Sequence, residues 1–386
     1  MTVDYCRSYT NKGSWTLNQV TSQVANCEWA STFLDDLPAC FFSWGCNDIG
    51  QLGDGTIISR SSPVQIAGAN WVRIASGTAH HAAIKTDGTL WTWGNNCSGQ
   101  LGDNTVVNKC SPIQVPGSWR RISAGMEHTV AIKTDGTLWT WGKNLWGQLG
   151  TNSVTFQSSP IQVGSSNDWE FVSAGNDHTI ATKFDQTLYA WGCNSFGQLG
   201  DGTIAPKSSP VQIPGTNWIC AEAGNYHTAA LKTDATIWTW GNNENGQLGN
   251  GQAGINCALS SPVQVPGGSW QSVSTGRDHT AAVKLDGSAY GWGLNSVGQL
   301  GVHDTTHRSS PALIPGTQRW REVCSGANHN ILRSTDNGIW TYGNNAHGQL
   351  GINDLSPRCS PIQVGSTCTW TDISTFGDST YAVRCC

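Results

Sequence analysis

Charge is scarce in this chain: Asp, Glu, Lys and Arg make up 12% of its 386 residues, about half the usual share for a globular domain. Methionine occurs twice, and helix-favouring runs of Ala, Leu, Glu and Lys are few, which argues against a helical architecture. No stretch approaches the roughly twenty apolar residues that span a bilayer, so membrane insertion is not expected. The opening MTVDYCRSYTNKGSWTLNQV has neither a basic start nor an apolar run, so no secretory signal is expected. Acidic residues outnumber basic ones 26 to 21, for a net charge of −5, and no overall positive field draws nucleic acid. Cys-x-x-Cys, His-Glu-x-x-His, a Walker loop and Gly-x-Ser-x-Gly are all absent. No metal, cofactor or catalytic residue is expected, and the chain reads as a non-enzyme.

What the chain has instead is glycine (46), tryptophan (20) and a period. Aligned on Trp-Gly, Trp44, Trp93, Trp141, Trp191, Trp240, Trp292 and, with one substitution, Tyr342 recur at spacings of 49, 48, 50, 49, 52 and 50. The units carry, with local departures such as Phe376 and Ser379 for the Gly and His of the last, Ser-Pro, a "PVQI"-like run, a Trp, Gly-x-x-His-Thr, an "AAIKTDGTLWTWG"-like run and Gly-Gln-Leu-Gly. Four of these stretches are β-branched and aromatic and are bounded by Gly, Pro, Asn and Ser, and Asp-Gly marks a two-residue hairpin. Each unit therefore reads as four short strands. Such a sheet cannot bury both faces alone, so seven of them stacked radially predict an all-β, seven-bladed propeller of antiparallel blades over residues 39–386. The last unit stops before its "TLWTWG" strand, and "ACFFSWG" at 39–45 supplies a replacement, so an N-terminal strand is expected to close the ring. Cys40 then falls beside Cys385 and Cys386, a candidate disulfide. Residues 1–38 form an arm outside the repeats, a possible attachment segment.

Six copies of Trp-Gly-x-Asn-x-x-Gly-Gln-Leu-Gly and a seventh with Tyr342 for the Trp, most preceded by Gly-x-x-His-Thr and Asp-Gly, resemble the repeat of the regulator of chromosome condensation family, whose fold is a seven-bladed propeller. The style of the unit looks like the bacterial and phage branch. The resemblance brings in guanine nucleotide exchange on a small GTPase as an alternative function. It also allows an enzyme-inhibitor propeller.

The repeat residues have structural readings first. His80, His128, His178, His227, His279 and His329 are too widely spaced around a ring to share one ion, and each is expected to hydrogen-bond within its own blade. Asn47, Asn96, Asn144, Asn194, Asn243, Asn295 and Asn345 are expected to hold the turn before Gly-Gln-Leu-Gly. A basic residue recurs at Lys85, Lys133, Lys183, Lys232, Lys284, Arg333 and Arg384, read as a solvated strand end paired with the neighbouring Asp. Fourteen cysteines, with Cys6 and Cys27 or Cys97 and Cys110 placed for pairing, suggest an oxidising destination. Without a visible signal, that fits a virion-surface or extracellular component assembled in the cytoplasm before release.

The slot just before Gly-Gln-Leu-Gly is free of the frame: it holds Ile49, Ser98, Trp146, Phe196, Asn245, Val297 and His347. Because this loop and the Gly-x-x-His loop emerge on one face, Trp146, Phe196 and Tyr226 form a candidate partner-binding sector, with Met126 and Ile49 beside it. Two readings stand. The aromatics fill gaps between blades, or they anchor protein chains (capsid, tail or surface-assembly proteins) or stack on glycans as in a lectin.

Overall fold

A computed structural model describes residues 39–366 and 370–385. Among these residues 28 strands form seven four-stranded antiparallel sheets, with no helix. In the first blade the strands run from the axis outward as Trp71–Ser76, His80–Lys85, Leu90–Gly94 and Lys109–Val115. Ala83 lies opposite both Ile74 and Trp91, and Trp91 opposite Gln114. The blades that follow span 119–162, 169–213, 218–264, 270–313 and 320–363.

The seventh blade takes two strands from each end of the chain. Ala39–Gly45 lies between Ser379–Cys385 and Arg60–Ile66, with Phe41 opposite both Val383 and Ile66. The expected closure by residues 39–45 is present, and 60–66 joins it because each Ser-Pro strand is the outer edge of the sheet before it. Blade boundaries therefore fall one strand later than the sequence unit suggests. Closure is hydrophobic as well as hydrogen-bonded: Phe41, Leu52, Ile66, Tyr381 and Val383 of the seventh blade pack against Trp71, Ile74 and Trp93 of the first, all buried. Each such side chain contributes about 1.5–3 kcal/mol on leaving water.

The hairpin between the second and third strands needs a left-handed residue. Gly88, Gly136 and Gly287 supply it at φ +78°, +84° and +80°, but Ala235 occupies the same position at +61°. A side chain there costs about 1–2 kcal/mol, against roughly 0.5–1 kcal/mol for the extra chain freedom of glycine. Ala235→Gly is therefore expected to stabilise the protein by about 0.5–1 kcal/mol. A fall in the denaturant midpoint of that variant would show that another contact sets the turn.

The Cys97–Cys110 pairing expected from the sequence is not formed. Cys97 and Cys110 are both free thiols, as are Cys46, Cys193, Cys257, Cys324 and Cys359. The two serve opposite junctions: Cys97 Sγ faces Glu127 Oε1 of the second blade at 3.6 Å, while Cys110 backs onto Gly50 of the seventh, where an added Cβ would lie 2.6 Å from its Cα. Ser158 and Ser208 hold the same place against Gly99 and Gly147, so Cys110 acts there as a small packing residue. The arm at 1–38 with Cys6 and Cys27, the side chain of Cys385, and Cys386 lie outside the described residues. Cys40 sits opposite Arg384 in the strand pair.

Candidate functional site

The tetrapeptide Gly-Gln-Leu-Gly is a clamp from one blade onto the next. In the first blade, Leu101 is fully buried and its N–H donates to Asn96 Oδ1 at 2.9 Å. Asn96 Nδ2 in turn donates to the carbonyls of Thr105 and Val107, which fixes the loop. The Gln100 carbonyl then accepts Trp141 Nε1 and Thr129 Oγ1 of the second blade, both at 2.8 Å. Asn47, Asn144, Asn194, Asn243, Asn295 and Asn345 accept the equivalent leucine N–H in the other units.

The six repeat histidines belong to this clamp, which corrects the expectation that each bonds its own blade. His80 Nε2 lies 2.9 Å from Thr129 Oγ1 of the next blade, and His128, His178 and His227 meet Thr179, Thr228 and Thr280 in the same way. His279 meets Asn330, and His329 meets Thr380. Thr129 has one proton and gives it to the Gln100 carbonyl, so His80 Nε2 must carry the hydrogen and donate. Burial pushes His80, His128, His178, His227 and His329 down to about 3 and His279 to about 4; all six are neutral.

The recurrent basic residue also differs from expectation. Lys85 Nζ sits 4.7 Å from the centre of the Trp71 ring and 4.5 Å from that of Trp91. Lys133, Lys183, Lys232 and Lys284 are sandwiched alike, and Arg384 lies over Phe42 and Trp370. The turn aspartate caps its own hairpin instead: Asp87 Oδ1 accepts the N–H and O–H of Thr89 at 2.9 and 2.6 Å. Six of the seven cations are absorbed by the blades through cation–π contact, while the buried Arg333 pairs with Glu322 instead.

Strands alternate in direction, so the clamp loops and the Gly-x-x-His loops share one face, opposite the Asp-Gly hairpins. On that face Trp146 is 44% and Phe196 39% exposed. Phe196 stands beside Tyr226 of the fourth blade, ring centroids 5.2 Å apart at 47°. Met126 is half-buried on the same blade as Trp146. Ile49 is also half-buried but sits on the seventh blade, with Ser98 of the first blade between it and Trp146; it lies outside the sector.

Sequence reasoning missed two features here. Leu145, 59% exposed, adjoins Trp146 and extends the apolar patch. Charge also recurs on this face in the loop before the repeat histidine. The residue before the histidine is a second free slot, holding Glu127, Asp177, Asp278 and Asp378 among Ala79, Tyr226 and Asn328; its variation within a fixed frame was the available signal. Lys143 Nζ bridges Glu127 at 2.9 Å and Asp177 at 3.5 Å. Burial alone would lower Lys143, but these two carboxylates more than offset it and raise it. Burial raises Asp177 and Asp278, with Lys143 and Arg277 opposing the shift and the nearby Glu127 and Glu244 adding to it. Among the described residues no group of His, Cys, Asp and Glu is arranged to hold a metal ion, and no helix is long and apolar enough to cross a membrane.

Comparison with known proteins agrees with this architecture. The model of the RCC1-like domain matches residues 8–266, and two models of the regulator of chromosome condensation (RCC1) repeat match 286–332 and 270–299. Human WBSCR16 is similar in structure at a TM-score of 0.82 and 20% identity, over 90% of this chain and 98% of that one. Prp20p from Saccharomyces cerevisiae is similar at 0.83 and 19%, over 91% and 92%. Yeast RCC1 (Prp20) with Kap60 bound gives 0.83 and 17%, over 100% and 96%. At these identities the likeness is one of fold.

Proposed function

Since the chain belongs to the RCC1-like domain family, we propose that it is a non-enzymatic propeller that docks another protein chain on the face carrying Leu145, Trp146, Phe196 and Tyr226. The exposure of Trp146 and Phe196 in a slot that elsewhere holds Ser98 and Asn245 carries this reading: the fold does not need an aromatic there, and rigid exposed rings are efficient anchors. Prp20p has been described with its binding to Gsp1p and histones, and yeast RCC1 with Kap60; protein partners suit this fold. The proposal names no compartment.

Trp146→Ala is expected to leave the melting temperature nearly unchanged and to weaken partner binding by about 2 kcal/mol, some thirtyfold. Titration of a partner captured from the source cell against wild type and variant checks this. A large loss of stability with unchanged affinity would return the ring to the scaffold. Acceleration of nucleotide release from a small GTPase would instead favour an exchange factor.

A further inference from the structure

The junction of the second and third blades shows how this face holds a cation between two carboxylates, whereas at the junction of the fourth and fifth only the exposed Arg277 approaches a carboxylate. At the first junction Lys143, whose N–H donates to the Glu127 carbonyl at 2.8 Å, places its ammonium between Glu127 and Asp177, and Gln148 Nε2 donates to Asp177 at 3.0 Å. At the other junction Asn242 takes the place of Lys143, its N–H donating to the Tyr226 carbonyl at 2.8 Å, and Asp278 takes the place of Asp177. Glu244, tied to Asn242 Oδ1 through its N–H at 2.9 Å, is an exposed second carboxylate close enough to Asp278 to raise it. Arg277 reaches Asp278 only at 3.6 Å, with its own side chain 60% exposed. Gln247 is fully buried, and its Nε2, the equivalent of the Gln148 donor, has no partner among the described residues, as is also true of Gln100 and Gln198.

We propose that this junction is a notch for a lysine or arginine side chain of the partner protein, seated between Glu244 and Asp278 as Lys143 sits between its own two carboxylates. The stem of that side chain would lie along Tyr226 and Phe196, and a backbone carbonyl of the incoming segment would accept from Gln247. Long basic side chains suit such a site because their methylenes cover apolar surface while the charge stays paired. A second copy of this chain docked on the same face about a two-fold axis would bring the same carboxylates to the notch, like charge against like, and a nucleic acid would bring phosphates. The occupant is therefore a basic, partly apolar protein segment. This proposal rests on the docking face described above.

The test uses a fluorescein-labelled twelve-residue peptide of Arg, Leu and Gly, its counterpart with Glu for Arg, and a twelve-nucleotide oligo-dT, titrated against the full chain at low and high salt. The Arg peptide is expected to bind, with Glu244→Gln weakening it several-fold and Glu244→Gln with Asp278→Asn about tenfold or more, together with a flatter salt dependence. Glu244 is exposed, so the single variant remains informative should the double variant fail to fold. Equal binding of the Glu peptide or oligo-dT, or an unchanged affinity in Glu244→Gln, overturns the notch. A natural partner lost on Trp146→Ala with Phe196→Ala but retained on Glu244→Gln with Asp278→Asn overturns the notch while leaving the docking face. Retention in both sets overturns both.

Discussion

Below pH 6.5 the protein is expected to lose stability steeply and to unfold near pH 5, well above the range in which carboxylates titrate. The cause is the clamp. Six histidines are held neutral by burial, with five pushed down to about 3 and one to about 4, whereas in the unfolded chain they take up protons near 6.5. Their folded values are depressed, so the unfolded state binds more protons as pH falls, and the stability they contribute is full above 6.5 and is lost on acidification. Each costs about 1.4 kcal/mol per pH unit once well below 6.5, and six together about 8 kcal/mol per unit, comparable to the whole stability of a typical domain. Buried His81, whose value also lies well below the ordinary one, adds to this. The turn aspartates, held low by their threonine bonds, act only at more acid pH. Tryptophan fluorescence against pH, with proton uptake on unfolding, measures the effect. An unfolding curve flat from pH 7 to pH 4, or uptake of fewer than two protons near pH 5, would mean that the histidines are not the buried neutral links described.

The second large effect concerns the last glycine of the clamp. Gly150 has φ +72°, and a Cβ added there would lie 2.7 Å from Trp191 Nε1; Trp191 is fully buried and donates that hydrogen to the Gln148 carbonyl at 2.9 Å. Gly150→Ala is expected to cost about 2–5 kcal/mol, the sum of roughly 1–2 for the left-handed backbone and 1–3 for displacing a packed ring. Gly202 is the control. Its φ is +78°, but the nearest atom to an added Cβ is Ser261 Oγ at 3.8 Å, so Gly202→Ala should cost only about 1–2 kcal/mol. Chemical denaturation of the two variants separates the terms; equal losses would show that the clamp is not tightly packed.

These two predictions mark what the sequence could and could not convey. The ring was legible because each unit repeats the same strand pattern, and because residues 39–45 match the strand missing from the last unit. The links between units were not. Nothing in the spacing of His80 and Thr129 says that one blade's second strand meets the next blade's, and this junction, not the strand, decides the histidine's partner. The lysine–tryptophan sandwiches escaped for a related reason: Lys85, Trp71 and Trp91 are brought together by strand register, while in sequence the nearest charge to Lys85 is Asp87. The aromatic sector was readable from a slot that holds Ser, Asn, Trp and Phe alike. The influence of Glu244 on Asp278 was not, since the two come from loops on different blades.

Photo-crosslinking tests the docking face most directly. A benzoyl-phenylalanine placed at Leu145 lies on the aromatic face, and one placed at Leu285, 48% exposed in the hairpin after the fifth blade's second strand, lies on the opposite face. The docking account predicts that position 145 captures the partner, that Phe196→Ala abolishes the capture, and that position 285 captures nothing. Capture from 285 with none from 145 would contradict it.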